Sequence, residues 1–173
     1  MEQLHAPWRM DYIRSLDKSH DKTQHEDCFL CTAAASAPPT YKNHLVLWMT
    51  SLTLVCINKF PYTNGHLLVA PRAHKADLEL LDADELTDLQ TQTVEAISLL
   101  KRAISPQGFN LGVNLGRCAG AGLPGHLHQH VVPRWNGDTN FISVLGEIRI
   151  VPEAVSQLYD ELTRVRAEIE KQG

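Results

Sequence analysis

The feature that most constrains this chain is a run of three alternating histidines, His126, His128 and His130. Alternate residues of a β-strand share one face, so a strand here places three imidazoles together, with neighbouring rings roughly 6–7 Å apart. A glycine-rich loop, residues 116–125, comes directly before the run. Glycines let backbone N–H groups approach an anion closely, and consecutive N–H groups form a nest for phosphate oxygens. The pattern predicts a strand over residues 126–132 that presents imidazoles to a phosphate site.

Two kinds of chemistry suit imidazoles beside an anion site. In the first, a neutral ring nitrogen attacks phosphorus and a second histidine protonates the leaving oxygen. In the second, three histidines bind a catalytic zinc ion that keeps an open position for water. A single histidine in a strand is usually structural, but three on one face behind a glycine-rich loop favour a catalytic site. The spacing alone leaves both chemistries open.

A second candidate site is the pair Cys28-x-x-Cys31. The chain has four cysteines and begins without the basic and apolar pattern of a signal peptide, so we expect reduced thiols in a cytoplasmic protein. The pair suits a redox couple, two incidental thiols, or half of a zinc site. Zinc then needs two histidines from elsewhere. His74 and His126 are the best placed, and His25, three residues before Cys28, is a rival ligand.

The overall charge narrows the range of partners. The chain has 16 lysines and arginines against 20 aspartates and glutamates, a formal net charge of −4. Affinity for nucleic acid in general needs a broad basic face, so we expect no nucleic-acid partner. The sequence contains no uncharged apolar run near the ~18 residues of a membrane span, so we expect no membrane partner either. With 173 residues, 43% of them hydrophobic, the chain is long enough for one domain with its own core.

Short β-rich segments joined by turns precede each of two amphipathic helices. The predicted strands cover residues 45–49, 52–57, 66–70, 109–115, 126–132 and, as a short addition, 148–151. His66 opens the third strand after an Asn-Gly turn, and we interpret it as a packing or hydrogen-bonding residue. Runs of neighbouring strands between helices predict an α+β fold with a mostly antiparallel sheet and two main helices. We assign residues 1–27 to an N-terminal arm and residues 28–173 to a single domain.

Both helices are predicted from their ends and their apolar faces. Asp82 and Glu85 form a capping-box pair at the start of the first helix, which Pro106 and Gly108 end. Its predicted apolar face comprises Leu86, Leu89, Thr93, Ile97, Leu100 and Ile104. Pro152 suits the first turn of the second helix. The predicted apolar face of that helix comprises Val155, Leu158, Leu162, Val165 and Ile169.

The segment His126-Leu127-His128-Gln129-His130-Val131-Val132 resembles the signature of the histidine triad (HIT) family, His-x-His-x-His followed by two apolar residues. Residues 58–71 look like that family's nucleotide-pocket segment. Residues 7–12, 108–116 and 132–141 are similar to a bacterial branch related to diadenosine tetraphosphate phosphorylase. The resemblance covers most of the chain. It implies a HIT-like α+β fold, a homodimer, and an enzyme that binds nucleotides and transfers or hydrolyses nucleotidyl groups.

The resemblance also implies roles for particular residues. His128 matches the nucleophile, which forms a covalent nucleotidyl-imidazole intermediate, and His130 matches the histidine that contacts the phosphates and the leaving group. Asn58 matches the residue that holds the ribose hydroxyls. Asn114 matches a residue of the phosphate-binding part. The remaining substrate contacts implied are Gly120, Ala121 and Gly122 near the phosphates, and Phe29, Leu30 and Ile57 near the base.

Zinc-bearing members of the wider superfamily use two cysteines, a histidine after the strand–proline segment, and the first histidine of the triad. These positions fall on Cys28, Cys31, His74 and His126, so the resemblance implies a structural Zn²⁺ ion. It disfavours the open three-histidine zinc site, because His126 is then already engaged.

The chain departs from the family pattern at two places. Ala121 and Gly122 stand where many members have Gln, Ser or Thr as donors to phosphate, and Gln129 replaces an apolar residue. We expect the Gln129 side chain to face away from the site. The predicted activity is that of a diadenosine tetraphosphate phosphorylase or hydrolase, with phosphate and water both open as acceptors. The alternatives are a nucleoside phosphoramidase and a nucleotide-binding interaction protein with little catalysis.

Overall fold

A five-stranded antiparallel sheet organises the protein, in a computed structural model that describes residues 28–138 and 154–172. Its strands are β1 (Val46–Met49), β2 (Thr53–Ile57), β3 (Leu67–Pro71), β4 (Gly108–Val113) and β5 (Gln129–Arg134). They lie in the order β1-β2-β3-β5-β4, and every neighbouring pair is antiparallel. The predicted α+β fold with a mostly antiparallel sheet is confirmed.

Two long helices cover one face of this sheet. Helix α2 spans Ala83–Ile104 and helix α3 spans Val155–Glu170, while α1 is a single short helix at Phe29–Ala34. The capping box that begins α2 is confirmed: Glu85 N donates to Asp82 Oδ1 and Asp82 N donates to Glu85 Oε2, both at 2.9 Å. None of the helices in the described ranges is long and apolar enough to cross a membrane.

The core is divided between the two faces of the sheet, because side chains alternate along each strand. The larger cluster lies between the sheet and the two long helices and includes Val55, Ile57, Leu67, Val69, Leu89, Leu100, Val131, Leu158 and Leu162. The smaller cluster lies on the other face, which we call the front face, and includes Cys28, Leu30, Leu54, Cys56, Leu68 and Ala70. Helix α1 covers only part of the front face.

The apolar face of α2 differs from the prediction at one end. Leu86 is 37% exposed, so its predicted place on the buried face is wrong. Glu85 takes the inward position instead, since its carboxylate both caps the helix and accepts from Lys75 Nζ at 2.6 Å. The face predicted for α3 is confirmed at Leu158, Leu162 and Val165, which are buried.

The structure differs from the sequence analysis at two further places. Helix α1 and a 3-10 helix at Pro38–His44 lie where no element was predicted, because both are too short to show a hydrophobic period. Strand β5 begins at Gln129 and not at His126. The backbone of the preceding segment forms a hydrogen bond outside the sheet, because Leu127 N donates to Lys75 O at 2.7 Å. The expected arm over residues 1–27, the strand at 148–151, His25 and Pro152 lie outside the described residues.

Candidate functional site

The three alternating histidines divide between two neighbouring sites. The rings of His128 and His130 lie 5.0 Å apart, centroid to centroid, and stand nearly perpendicular. His126 instead faces the cysteines and lies 5.1 Å from the ring of His74. The expectation of three imidazoles on one strand face is therefore wrong, because only His130 belongs to β5. Gln129 points to the opposite face as predicted, where its Nε2 donates to Thr93 Oγ1 at 3.3 Å.

A backbone carbonyl determines which ring nitrogen of neutral His128 carries the hydrogen. Its Nδ1 lies 2.8 Å from the carbonyl oxygen of His126. A carbonyl can only accept, so the neutral ring carries its hydrogen on Nδ1 and keeps the lone pair on Nε2. His128 lines a cavity of about 670 Å³ on the front face. An unprotonated imidazole nitrogen at the edge of such a cavity is a potential nucleophile.

A chain of hydrogen bonds through Tyr62 and His66 determines which ring nitrogen of neutral His130 carries the hydrogen. The Tyr62 backbone N–H donates to His66 Nδ1 at 3.1 Å, so a neutral His66 carries its hydrogen on Nε2. That nitrogen lies 2.9 Å from His130 Nδ1 and donates to it, which leaves His130 with its hydrogen on Nε2. His130 Nε2 is buried and has no hydrogen-bond partner among the described residues. The ring is thus prepared to donate a hydrogen bond from Nε2 to a bound molecule.

Burial keeps His130 neutral. Desolvation, and after it the repulsion from His128, lowers the pKa of His130 from 6.5 to about 4. In their neutral forms the two neighbouring imidazoles have different roles: His128 offers a lone pair, and His130 offers an N–H group. Such a pair suits nucleophilic attack at phosphorus with a nearby donor for the departing oxygen.

Most of the substrate-contact residues predicted from the sequence line the front-face cavity. They are Phe29, Ile57, Asn58, Gly120, Gly122, His128 and His130. Asn114 lines a second cavity beside the first, and its Nδ2 donates to Gly120 O at 3.5 Å. Ala121 lies between two lining glycines but is not itself part of the lining. Leu30 is fully buried in the smaller core cluster, where α1 packs on the sheet, and it does not line the cavity. Its expected contact with the base is therefore corrected to a packing role.

The cavity also has lining residues to which the sequence gave no individual role, although they belong to the predicted nucleotide-pocket segment, residues 58–71. Lys59 supplies a cation, and Phe60 and Tyr62 supply aromatic rings that are 76% and 43% exposed. With Phe29, which is 52% exposed, they form an aromatic border of the kind that stacks on planar ligands. Asn58 is held at this border, because its Oδ1 accepts from Phe60 N at 3.0 Å.

The glycine-rich loop requires its glycines at two positions. Gly116 and Gly120 have φ angles of +76° and +89°, a region that side-chain-bearing residues rarely adopt. They bracket a short 3-10 turn at Arg117–Ala119. Gly120 and Gly122 then reach the cavity with backbone only, which permits the close approach of a phosphate oxygen.

Beside this cavity, two cysteines and two histidines converge. Cys28, Cys31, His74 and His126 each place one ligand atom within 4.8 Å of all the others. Cys28 Sγ lies 3.2 Å from His126 Nδ1, and Cys31 Sγ lies 3.1 Å from His74 Nδ1. Tetrahedral zinc bound by sulfur and nitrogen sets such atoms roughly 3.3–3.8 Å apart, so the cluster has nearly the size that zinc requires.

The protonation of the cluster also fits a metal. His126 Nε2 lies 2.8 Å from the carbonyl oxygen of Pro71 and must donate to it, which leaves Nδ1 unprotonated toward the sulfurs. Burial, and then the neighbouring Cys28, raises the pKa of the Cys31 thiol to about 11, so a bound cation is what would favour its thiolate. Four protein ligands form a closed site, which is the structural and not the catalytic type of zinc site.

Comparison with known proteins places this geometry in a family. The HIT domain matches residues 38–137 of this chain. The chain is 35% identical over 160 residues to the AP-4-A phosphorylase of Mycobacterium tuberculosis, covering 88% of this chain and 78% of the relative. It is 26% identical over 136 residues to the adenosine 5'-monophosphoramidase of Schizosaccharomyces pombe, covering 79% of this chain and 96% of the relative.

A solved structure has the same fold. The Zn-bound histidine triad family protein of Mycobacterium smegmatis superposes with a TM-score of 0.66 at 23% identity, covering 86% of this chain and 99% of that one. The fold, the domain match and the paired histidines agree with the resemblance seen in the sequence. The chain belongs to the histidine triad, or HIT, family.

Proposed function

We propose that this protein is a nucleotidyl-transferring enzyme that cleaves dinucleoside polyphosphates through a covalent nucleotidyl-His128 intermediate. The observation that carries the proposal is the division of protons between two adjacent imidazoles, with the lone pair of His128 on Nε2 and the hydrogen of His130 on Nε2. The likeness to a protein named AP-4-A phosphorylase, at 35% identity, supports the class of substrate.

The substrate is proposed to bind along the front-face cavity. Its base lies against Phe29 and Ile57, and its ribose hydroxyls bond to Asn58. Its phosphates meet the backbone N–H group of Gly122 and the amide of Asn114, because the N–H groups of Gly120 and Ala121 already donate to the carbonyls of Arg117 and Gly116, at 2.9 and 3.3 Å. Because neither Ala121 nor Gly122 has a polar side chain, the loop's contribution to phosphate binding comes from its backbone.

The first chemical step forms a bond between His128 Nε2 and the α-phosphorus. The bond from that phosphorus to the bridging oxygen breaks at the same time, and its electron pair leaves with the departing polyphosphate. His130 Nε2–H donates to the departing oxygen, whose negative charge increases in the transition state. In the second step an oxygen of phosphate or water attacks the same phosphorus and the bond from phosphorus to His128 Nε2 breaks, its electron pair returning to that nitrogen, while an attacking water releases one proton to solvent. Phosphate would release ADP from an adenylyl enzyme, and water would release AMP.

We further propose that Cys28, Cys31, His74 and His126 hold a structural Zn²⁺ ion. Bound there, the ion would cross-link α1 to the segment that precedes β5 and would take no part in the chemistry at phosphorus. That segment carries the carbonyl of His126, the acceptor that orients His128. The M. smegmatis neighbour, described as Zn-bound, supports this proposal. A homodimer and a cytoplasmic location remain part of the proposal.

A nucleoside phosphoramidase is the second candidate, because the S. pombe relative is named as one. It would use the same attack by His128, with a P–N bond breaking in place of the P–O bond. The two candidates differ in the size of the group that leaves. A protein that only binds nucleotides is the third reading and predicts no turnover of either substrate.

The deciding experiment incubates the protein with diadenosine tetraphosphate, with and without inorganic phosphate, and separates the products. ADP plus ATP that depends on phosphate identifies a phosphorylase, and AMP plus ATP without phosphate identifies a hydrolase. The His128→Ala variant should lose turnover and the covalent nucleotidyl enzyme while it still binds nucleotide. His44→Ala is the matched control, because His44 lines the same cavity but has no place in the proposed mechanism. Undiminished turnover in His128→Ala would contradict the mechanism.

A further inference from the structure

The peptide unit that joins His126 to Leu127 forms a hydrogen bond on each side. Its C=O accepts from His128 Nδ1 at 2.8 Å, and its N–H donates to Lys75 O at 2.7 Å. The C=O and N–H of a trans peptide point in opposite directions within one plane, so this plane cannot turn without disturbing both bonds. The Lys75 carbonyl therefore fixes, through a single peptide unit, the acceptor that holds the His128 ring.

The two hydrogen bonds also reinforce each other electrically. Both donors, His128 Nδ1 and Leu127 N, point the same way along the chain of bonds that ends at Lys75 O, so each bond polarises the next. When His128 Nε2 bonds to phosphorus as proposed, its ring becomes positively charged and its Nδ1–H becomes a stronger donor. A carbonyl already aimed at Nδ1 stabilises that charge without having to reorient.

The restraint on this peptide comes from outside the sheet. His126 and Leu127 precede β5, whose pairing with β3 runs from Gln129 to Val131. Lys75 belongs to the connection between β3 and α2. The orientation of the peptide therefore depends on what holds that connection in place.

An ion pair holds Lys75 at the other end of its side chain. Lys75 Nζ donates to Glu85 Oε2 at 2.6 Å, and the Glu85 side chain is only 8% exposed. The same oxygen accepts from Asp82 N at 2.9 Å in the capping box. A carboxylate buried to this extent needs its partners, because an unpaired buried charge is costly. The first turn of α2 is thereby linked through Lys75 to the peptide that orients His128.

We propose that Lys75 and Glu85 are positioning residues for the nucleophile His128. Neither of them lines the front-face cavity, so they influence the reaction only through the peptide that orients this imidazole. With the pair intact, neutral His128 keeps its hydrogen on Nδ1 and its lone pair on Nε2. The inference rests on the proposed function, since it takes His128 as the group that attacks phosphorus.

The test removes both charges together, in the double variant Lys75→Met with Glu85→Gln. Glutamine serves as well as glutamate at this position of a capping box, and no buried charge is left unpaired, so the variant should fold with near wild-type stability. The matched control is Arg164→Met with Glu168→Gln, which removes a 2.7 Å ion pair on α3 and likewise leaves the net charge unchanged. Neither control residue lines the front-face cavity.

Three measurements compare these variants with the wild type. With diadenosine tetraphosphate we expect kcat to fall about tenfold in the double variant with KM unchanged, since a misplacement of roughly 1 Å can cost about 10²-fold. Nitrogen-15 NMR of histidine-labelled protein should show one tautomer of neutral His128 in the wild type and the control, and two in the double variant. Thermal melting and elemental analysis should give all three proteins similar midpoints and the same zinc content.

Three results would overturn this inference and leave the proposed function standing. An unchanged kcat would show that the ion pair has no part in catalysis. A single His128 tautomer in the double variant, whatever its kcat, would show that another group orients the ring. A fall in kcat matched by lost zinc or a lower melting midpoint would assign the effect to the metal cluster or to folding. If the wild-type protein does not cleave the dinucleotide, the proposed function fails, and the tautomer of His128 alone decides whether Lys75 and Glu85 orient it.

Discussion

Replacing Gly65 with alanine should destabilise the protein through two separable effects. Gly65 has a φ of +76°, and the left-handed conformation costs a residue with a side chain about 1–2 kcal/mol. A Cβ at this position would also lie 2.5 Å from Ile104 Cδ1 and 3.1 Å from both Leu100 Cδ2 and Pro133 Cγ. Overpacking of this kind costs about 1–3 kcal/mol. Ile104 Cδ1 ends a side chain and can move, so we expect the free energy of unfolding to fall by about 2–3 kcal/mol in total.

Urea denaturation and thermal melting measure this loss. For a chain of this length the expected fall in midpoint temperature is about 4–12 °C. Gly108→Ala is the control, because a Cβ there meets no atom of the described residues within 4 Å and its φ is not positive, so its stability should stay within about 1 kcal/mol of the wild type.

A double-mutant cycle separates the contact from the backbone strain. Ile104→Val removes the Cδ1 atom that the new methyl group would meet. We expect the cost of Gly65→Ala to be smaller by about 1 kcal/mol in that background. The same cost in both backgrounds would assign the whole effect to the backbone. A Gly65→Ala variant as stable as Gly108→Ala would refute the reasoning.

Two further predictions concern protons and the metal. Because the pKa of His130 falls from 6.5 to about 4 on folding, the unfolded chain takes up its proton first, so the free energy of unfolding should decrease as pH falls from 6.5 toward 4. Urea titrations across that range should show a shallower pH dependence in His130→Gln, and an equal slope would contradict the assignment. Cys31→Ser should lower bound zinc, measured by elemental analysis, and reduce the free energy of unfolding by about 3 kcal/mol or more. Cys118→Ser, at an exposed thiol, should change neither, and a Cys31→Ser protein with full zinc content would exclude Cys31 as a ligand.

The parts of the fold that the sequence predicted are those with local causes. The capping box at Asp82 and Glu85 needs only two residues three apart, and strands β2 and β3 follow from short apolar runs beside turn residues. Helix α1 escaped prediction because six residues are too few for a period. The inward turn of Glu85 escaped because its partner Lys75 lies ten residues away, before the helix.

In the candidate site, too, the features with local causes were predicted and the long-range contacts were not. The spacing of Cys28 and Cys31 indicated half of a metal site with His74 and His126 as the best-placed further ligands, and the family resemblance then implied the same four residues, which the structure brings together. The bond between His66 and His130 joins residues 64 positions apart, and no local pattern marks it. The Asn-Gly turn before His66 indicated a strand, but not that the imidazole would complete a proton-ordered chain. Long-range polar contacts of this type depend on strand pairing, which a single sequence specifies only indirectly.

Phe29 occupies the first turn of α1, between Cys28 and Cys31 in the chain, and it lines the front-face cavity. One turn of helix therefore belongs both to the cluster of two cysteines and two histidines and to the wall that we propose contacts the base. Any cation that holds the two thiolates restrains the backbone on either side of this ring. If that restraint favours base binding by some factor, the bound nucleotide must tighten the hold on the cation by the same factor, since the coupling free energy between two ligands is reciprocal.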